Sequence, residues 1–219
     1  SYHIVLRIAQ RLKERCSDIY TVFGGPQADI VAEDTIRQLP YVDFICCGEG
    51  ENTIYPFFRS LLSGEPDLSV PGLVYRDGEE VRKNPRPALI EELDALPMID
   101  YTLMDVLQYH DKSIMSIDVG RGCPFGCTFC STNSFWGRKY RLKSPQRICE
   151  EIKAYHRRFG GSRIEFAHDM FTMDRKKVME TCALIKQLDF PIRWSCSARL
   201  DCVDRELIDV MADAGMISI

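Results

Sequence analysis

The sequence predicts an α/β protein in two parts, a partial parallel-sheet domain followed by the first half of a (β/α) barrel. Helical and strand-like patterns alternate on both sides of a proline-rich break, as they do in parallel βα units. Each strand pattern after the break is apolar on one face and polar on the other. The 219 residues, 45% of them hydrophobic, suffice to bury a core in one large domain or two small ones.

The first part reads as helix 2–16, strand 19–23, helix 29–38, strand 42–46 and helix 53–62. Gly24-Gly25-Pro26 and Gly48-Glu49-Gly50-Glu51 fall where the strands end, which is where open α/β sheets bind ligands; tight βα turns are the plainer reading of the same glycines. Two strands are few for a doubly wound sheet, so the chain is expected to be cut from a longer protein. Pro66, Pro71, Pro85, Pro87 and Pro97 then mark a change of composition, with a hairpin of 72–75 and 80–83 turning at Asp77-Gly78. The expected boundaries are a first domain over 1–66, a linker with hairpin over 67–108 and a second domain over 109–219.

The second part opens with strand 114–119 and a cysteine loop, then a helix over 144–159 with Ser144 as N-cap, Pro145 at its first position and Gly160 past its end. Strand 163–167 with helix 174–188 and strand 192–196 with helix 204–214 follow, and a further strand begins at Met216. Met115, Ile117, Val119, Ile164, Phe166, Ile192, Trp194 and Cys196 define an apolar face; Ser116, Asp118, Glu165, Asp169, Ser195 and Ser197 define a polar one. A parallel sheet covered on both sides is apolar on both, so the polar face predicts a barrel interior built around a polar cofactor. Polar caps at strand ends would account for Asp118 and Asp169 but not for Ser116 and Glu165.

The net charge of -4 and pI near 5.6, with Lys and Arg scattered between acids, give no basic patch, so no nucleic-acid partner is expected. No apolar run approaches the roughly 20 residues of a membrane span, and the first residues are not patterned as a signal peptide. Ten cysteines without a leader, set inside βα patterns, point to a reducing, cytoplasmic setting in which thiols are metal ligands or core filler.

Chemistry concentrates in Gly120-Arg121-Gly122-Cys123-Pro124-Phe125-Gly126-Cys127-Thr128-Phe129-Cys130, a loop with three thiols directly after a strand. Thiolates ligate iron-sulfur clusters and structural zinc alike. Zinc would need a fourth residue, with His110 or Cys149 as candidates, whereas a cubane with three protein ligands keeps one iron open to a chelating molecule. Cys149, Cys182, Cys196 and Cys202 lack ligand spacing and read as core.

The Cys-x3-Cys-x2-Cys spacing, with Phe129 before the last cysteine and a βα series after it, resembles the signature of the radical S-adenosylmethionine (SAM) superfamily. The resemblance implies that Cys123, Cys127 and Cys130 bind a four-iron four-sulfur (4Fe-4S) cluster, that SAM chelates the open iron and that Phe129 lies against the adenine. Reductive cleavage then gives methionine and a 5'-deoxyadenosyl radical, with electrons from a donor such as flavodoxin or ferredoxin. Asp169, in Phe166-Ala167-His168-Asp169, stands where the family has a Gly-Gly-Glu-like motif and is similar to the Asp version of cobalamin-associated members, which makes it the candidate for the SAM ammonium. Its plainer reading is a turn cap toward Asp174, and His168 reads as a satisfied polar residue or a substrate contact. Ser195, Ser197 and Arg199 resemble the segment near the SAM carboxylate and ribose, with a salt bridge from Arg199 to Asp201 or Asp204 as the alternative.

The first part, with Gly24-Gly25-Pro26, Gly48-Glu49-Gly50-Glu51 and Val70-Pro71-Gly72-Leu73-Val74-Tyr75, resembles the end of a Rossmann-like cobalamin (B12)-binding domain and its connecting segment. Gly24, Gly25, Gly48 and Glu49 are therefore candidate cobalamin contacts, although no Asp-x-His-x-x-Gly motif supplies a cobalt ligand. The whole resembles a cobalamin-binding-domain-containing radical SAM fragment whose barrel stops within its fourth strand. Such a protein would methylate, cyclise or rearrange an unreactive carbon of a small molecule or peptide. The alternatives are a radical rearrangement or oxidation without functional cobalamin, a zinc-stabilised binding module, and a cobalamin carrier without catalysis.

Overall fold

The computed structural model describes residues 2–103 and 114–219, and the chain forms two compact units, Ser1–Ile90 and Glu91–Ile219. The first unit runs α1 (Tyr2–Arg15), β1 (Val22–Gly24), α2 (Pro26–Ile30), α3 (Ala32–Gln38), β2 (Phe44–Cys46), α4 (Ile54–Leu62), β3 (Leu73–Asp77) and β4 (Glu80–Lys83). Its sheet has the order β1-β2-β3-β4, with β1 and β2 parallel and the rest antiparallel. Alternation along β2 decides the layers. Ile45 packs with Phe23, Ala28, Ala32 and Ile36 on the side of α1 to α3, while Phe44 and Cys46 pack with Phe57 of α4 and with Leu73.

Two expectations differ from this structure. The hairpin is not a linker: β3 pairs with β2 through Phe44–Tyr75, Ile45–Val74 and Cys46–Leu73, so it is half of the first unit's sheet. Helix 29–38 is two helices that meet at Val31, whose backbone leaves the helical region at φ -108° and ψ 21°. Asp29, buried in α2, accepts from the Gly48 amide at 3.0 Å and pairs with Arg86 at 2.5 Å.

In the second unit the elements are β5 (Ile114–Asp118), β6 (Gly120–Arg121), α5 (Thr132–Trp136), β7 (Arg141–Leu142), α6 (Pro145–Phe159), β8 (Arg163–Ala167), α7 (Arg175–Ile185), β9 (Arg193–Cys196), α8 (Arg205–Asp213) and β10 (Met216–Ser218). Each long helix starts on a side-chain cap that satisfies an otherwise unpaired amide. Ser144 Oγ accepts from Arg147 N at 3.1 Å, Asp174 Oδ1 from Lys177 N at 3.0 Å, and Asp204 Oδ1 from Leu207 N at 2.8 Å. Gly160, at φ +65°, closes α6 in the left-handed conformation.

The main sheet is parallel, in the order β10-β9-β8-β5. Its apolar face, with Ile117, Ile164, Phe166, Trp194 and Cys196, is covered by Ile148 and Ile152 of α6, Val178 and Cys182 of α7, and Leu207 and Met211 of α8. Trp194 is fully buried, stacked on Phe166 at 4.7 Å, with its indole N–H given to the Ala214 carbonyl at 2.9 Å. Helices on one face only, with the other face polar and open, form the wall of a barrel rather than a doubly wound sheet. On that open face Ser116, Glu165 and Ser195 stand in register across three strands. No helix among the described residues is long and apolar enough to cross a membrane.

Candidate functional site

The chemistry-bearing residues of the second unit lie where β5, β8 and β9 reach their C-terminal ends. After β5 the chain turns through Val119 into β6, which pairs antiparallel with β7 through Gly120–Leu142 and Arg121–Arg141. This ribbon brackets the cysteine loop. Glycine is required at its entry: Gly122 has φ +82°, and a Cβ there would lie 1.9 Å from the Lys139 carbonyl oxygen.

Within the loop the Cys130 amide donates to the Cys127 carbonyl at 3.1 Å, and Asn133 Nδ2 of α5 donates to the Phe125 carbonyl at 2.5 Å. Cys123 and Cys127 are half-buried and Cys130 is exposed. Among the described residues no three Cys, His, Asp or Glu side chains gather within reach of one ion, so the three thiols share a loop without converging.

The donor chemistry nevertheless fits an iron-sulfur cluster better than zinc. Burial pushes the thiols of Cys46, Cys149 and Cys182 up to about 11 and those of Cys47 and Cys196 to about 12, which makes them poor thiolate donors. Cys149, one candidate for a fourth zinc ligand, is among them, packed in the core under the sheet. His110, the other, lies outside the described residues. Three accessible thiols in one loop suit a cluster that takes three protein ligands.

Beside the loop is a cleft of about 490 Å³, lined by Asp118, Arg121, Trp136, Glu165, Asp169 and Ser197 among others. Two of the residues picked for SAM, Asp169 and Ser197, meet here. The Asp169 carboxylate is exposed and takes no hydrogen bond or ion pair among the described residues. It is not the cap of α7, a task that Asp174 performs. Ser195 is half-buried on the open sheet face, beside Glu165 in the register.

Two other picks are placed differently. Phe129 is 91% exposed. Arg199 is committed: its Nε and Nη2 form a two-pronged pair with Asp201 at 2.9 and 2.7 Å, and its Nη1 donates to Cys127 Sγ at 3.4 Å. The guanidinium also lies 3.8 Å over the Phe125 ring. The hydrogen bonds from Arg199 hold the Asp201 carboxyl down at about 2. A carboxylate pairing for Arg199 is thus present, but with Asp201, the nearer of its two acidic neighbours in sequence.

His168 is buried, accepts from the Met170 amide on Nδ1 at 3.0 Å and meets the Tyr140 ring edge-on at 5.2 Å. Desolvation lowers its pKa, against the opposing field of Asp169. Only one side of the ring is satisfied: Nε2 is buried without a hydrogen-bond partner among the described residues, and the residue lines the cleft. Sequence reading missed Arg121 and Trp136, whose guanidinium and ring meet at 5.5 Å on the cleft wall. Their positions, Arg121 two residues before the first loop cysteine and Trp136 next to Gly137 at the end of α5, are the signal that could have found them.

In the first unit Gly24 ends β1 and Gly25 follows it, both exposed, and Gly25, at φ +90°, has open space where a Cβ would stand. Gly48 is half-buried and Glu49 is buried, both beside the segment that leaves the sheet. A Cβ on Gly48 would meet the Pro87 ring, and the buried Glu49 carboxylate accepts from the Ile90 amide at 2.7 Å.

Residues 117–219 match the model of the radical SAM superfamily. Over 215 residues the chain is 31% identical to an uncharacterised methyltransferase of Pyrococcus horikoshii, covering 97% of this chain and 46% of that protein. It is 29% identical over 224 residues to the anaerobic magnesium-protoporphyrin IX monomethyl ester cyclase of Rubrivivax gelatinosus, covering 97% of this chain and 40% of that one. The chain thus spans less than half the length of these relatives. The fold is similar to that of TsrM, a radical SAM methyltransferase from Kitasatospora setae solved with tryptophan and a SAM analogue, with a TM-score of 0.79 at 16% identity over 96% of this chain and 42% of that one. TsrM has also been solved with cobalamin and a [4Fe-4S] cluster bound. With the family's model matched from β5 to the last residue over the cysteine loop and the parallel βα series, this chain belongs to the radical SAM superfamily.

Proposed function

We propose that this chain forms the cluster-binding half of a radical SAM enzyme, holding a 4Fe-4S cluster through Cys123, Cys127 and Cys130 and presenting SAM to it. The observation that carries the reading is the three-thiol loop at the C-terminal end of β5, opening beside a polar cleft on the uncovered face of the sheet. The cluster and SAM together supply one-electron cleavage of the sulfonium to methionine and a 5'-deoxyadenosyl radical. Asp169, exposed on the cleft, takes the SAM ammonium, and the Ser197 hydroxyl offers a hydrogen bond beside it. Arg121, stacked toward Trp136, gives the cleft its cation. Helices α6 to α8 exclude water from the opposite face, so polar groups converge on one side only.

The parent reaction is methylation or another transformation of an unreactive carbon of a small molecule or peptide, with cobalamin as second cofactor. Support comes from the methyltransferase and cyclase relatives, from the cobalamin seen in TsrM and from the open space at Gly25, directly after β1. A reduced flavodoxin or ferredoxin is the electron donor. Ten free thiols support a reducing, cytoplasmic setting. The reading is tested by dithionite-driven 5'-deoxyadenosine release from SAM by the anaerobically reconstituted chain. Release is expected from wild type, with Asp169→Asn at least tenfold slower at subsaturating SAM. No release from a protein carrying its full iron would contradict it.

A further inference from the structure

The guanidinium of Arg199 is the point where the loop after β9 meets the cysteine loop. Three contacts fix it: the two-pronged pair with Asp201, the Phe125 ring beneath it, and the hydrogen bond from Nη1 to Cys127 Sγ. Asp201 takes two of the three nitrogens, and this orients the third toward the sulfur. An arginine free to swing could serve a substrate carboxylate; one clamped in this way presents a fixed N–H to a thiolate.

We infer that Arg199 is a positioning residue for the iron-sulfur cluster, donating a fixed hydrogen bond to the ligand sulfur of Cys127 and thereby raising the cluster's reduction potential, with Asp201 as the clamp that aims it. The inference rests on the proposed function above. A hydrogen bond and a positive charge at a ligand sulfur favour the form with one more electron, because added negative charge on the cluster is spread onto its sulfurs. The electron-rich face of the Phe125 ring, under the guanidinium, ties the fork to the segment between Cys123 and Cys127. Arg175, which pairs with Asp204 and Glu206 on the surface at 2.9 and 2.5 Å, is a control arginine of the same unit that touches no cysteine.

The test is a redox titration of the reconstituted full chain, followed by the electron paramagnetic resonance signal of the reduced cluster, together with iron content. Arg199→Met is expected to make the cluster at least tenfold harder to reduce, a negative shift of about 59 mV for a one-electron couple. Asp201→Asn, which releases the clamp but keeps the arginine, and Arg199→Lys, which keeps charge but not the fork, are expected to shift in the same direction by less. Arg175→Gln is expected to match wild type. Wild-type potentials in Arg199→Met at full iron content would overturn the inference. If Arg199→Met fails to retain iron, the Lys and Asn variants decide: unchanged potentials in both overturn it, and negative shifts support it. A wild-type chain that assembles no cluster would overturn the proposed function along with the inference.

Discussion

At the scale of single residues, the site's neighbours are set by desolvation and by shape. His168 is the clearest case of desolvation. Its burial keeps it neutral, so the folded chain binds its proton less readily than the unfolded chain does. With the folded pKa below the unfolded value of about 6.5, stability from this residue is complete above that pH and drains as pH falls through it. Between pH 7.5 and 5.5, thermal unfolding of wild type is expected to lose stability with a slope of up to about 1.4 kcal/mol per pH unit from this group. His168→Asn, whose amide oxygen can accept from the Met170 amide, is expected to be measurably flatter; equal slopes would refute the assignment. Arg199 shows what residue-scale reading of sequence leaves open. Acids at Asp201 and Asp204 both lay within reach, and only the folded loop shows that Asp204 is spent on capping α8 and on Arg175 while Asp201 takes the fork.

At the scale of elements, legibility follows the range of the interactions that make them. Helix α6 was readable almost to the residue because its determinants are local: the Ser144 cap, Pro145 at the first turn, an amphipathic face and Gly160. The starts of α7 and α8 were readable at Asp174 and Asp204, whose capping role the structure adds. The hairpin was not assigned to the sheet because its partner, β2, lies a helix away in sequence, and prolines on either side of it gave the composition of a linker. Nor did the sequence reveal that α6 carries a buried charge network. Lys143 and Glu151 pair at 2.9 Å with side chains only 7% and 8% exposed, and Arg147 Nε joins Glu151 at 2.8 Å. Breaking such a pair from one side strands a charge in a poorly solvated place. Glu151→Ala is expected to cost about 3–5 kcal/mol in urea unfolding, whereas Lys143→Met combined with Glu151→Leu is expected to recover part of the loss. A single-variant cost under about 1 kcal/mol would show that water reaches the pair.

At the scale of the whole molecule, the alternation of polar and apolar positions along three strands carried the most information. It separated a barrel wall from a doubly wound sheet before any contact was known, because a covered face cannot hold Ser116, Glu165 and Ser195 in one row. The cysteine loop was legible as chemistry from its spacing alone. What spacing could not give is the set of second contacts, Arg121 with Trp136 and Arg199 with Cys127, which bring together residues distant in sequence at the C-terminal strand ends. The same holds for the hydrogen bond from the Ile90 amide to the buried Glu49 carboxylate, between residues 41 apart in sequence. The central claim, that three thiols of one loop hold a cluster with one iron open to SAM, is tested most directly by iron content and spectroscopy after anaerobic reconstitution. The expected result is about four irons per chain, a reduced-cluster paramagnetic signal that changes when SAM is added, and loss of both in Cys127→Ala. Stoichiometric zinc without iron, or a four-iron signal indifferent to SAM, would contradict it.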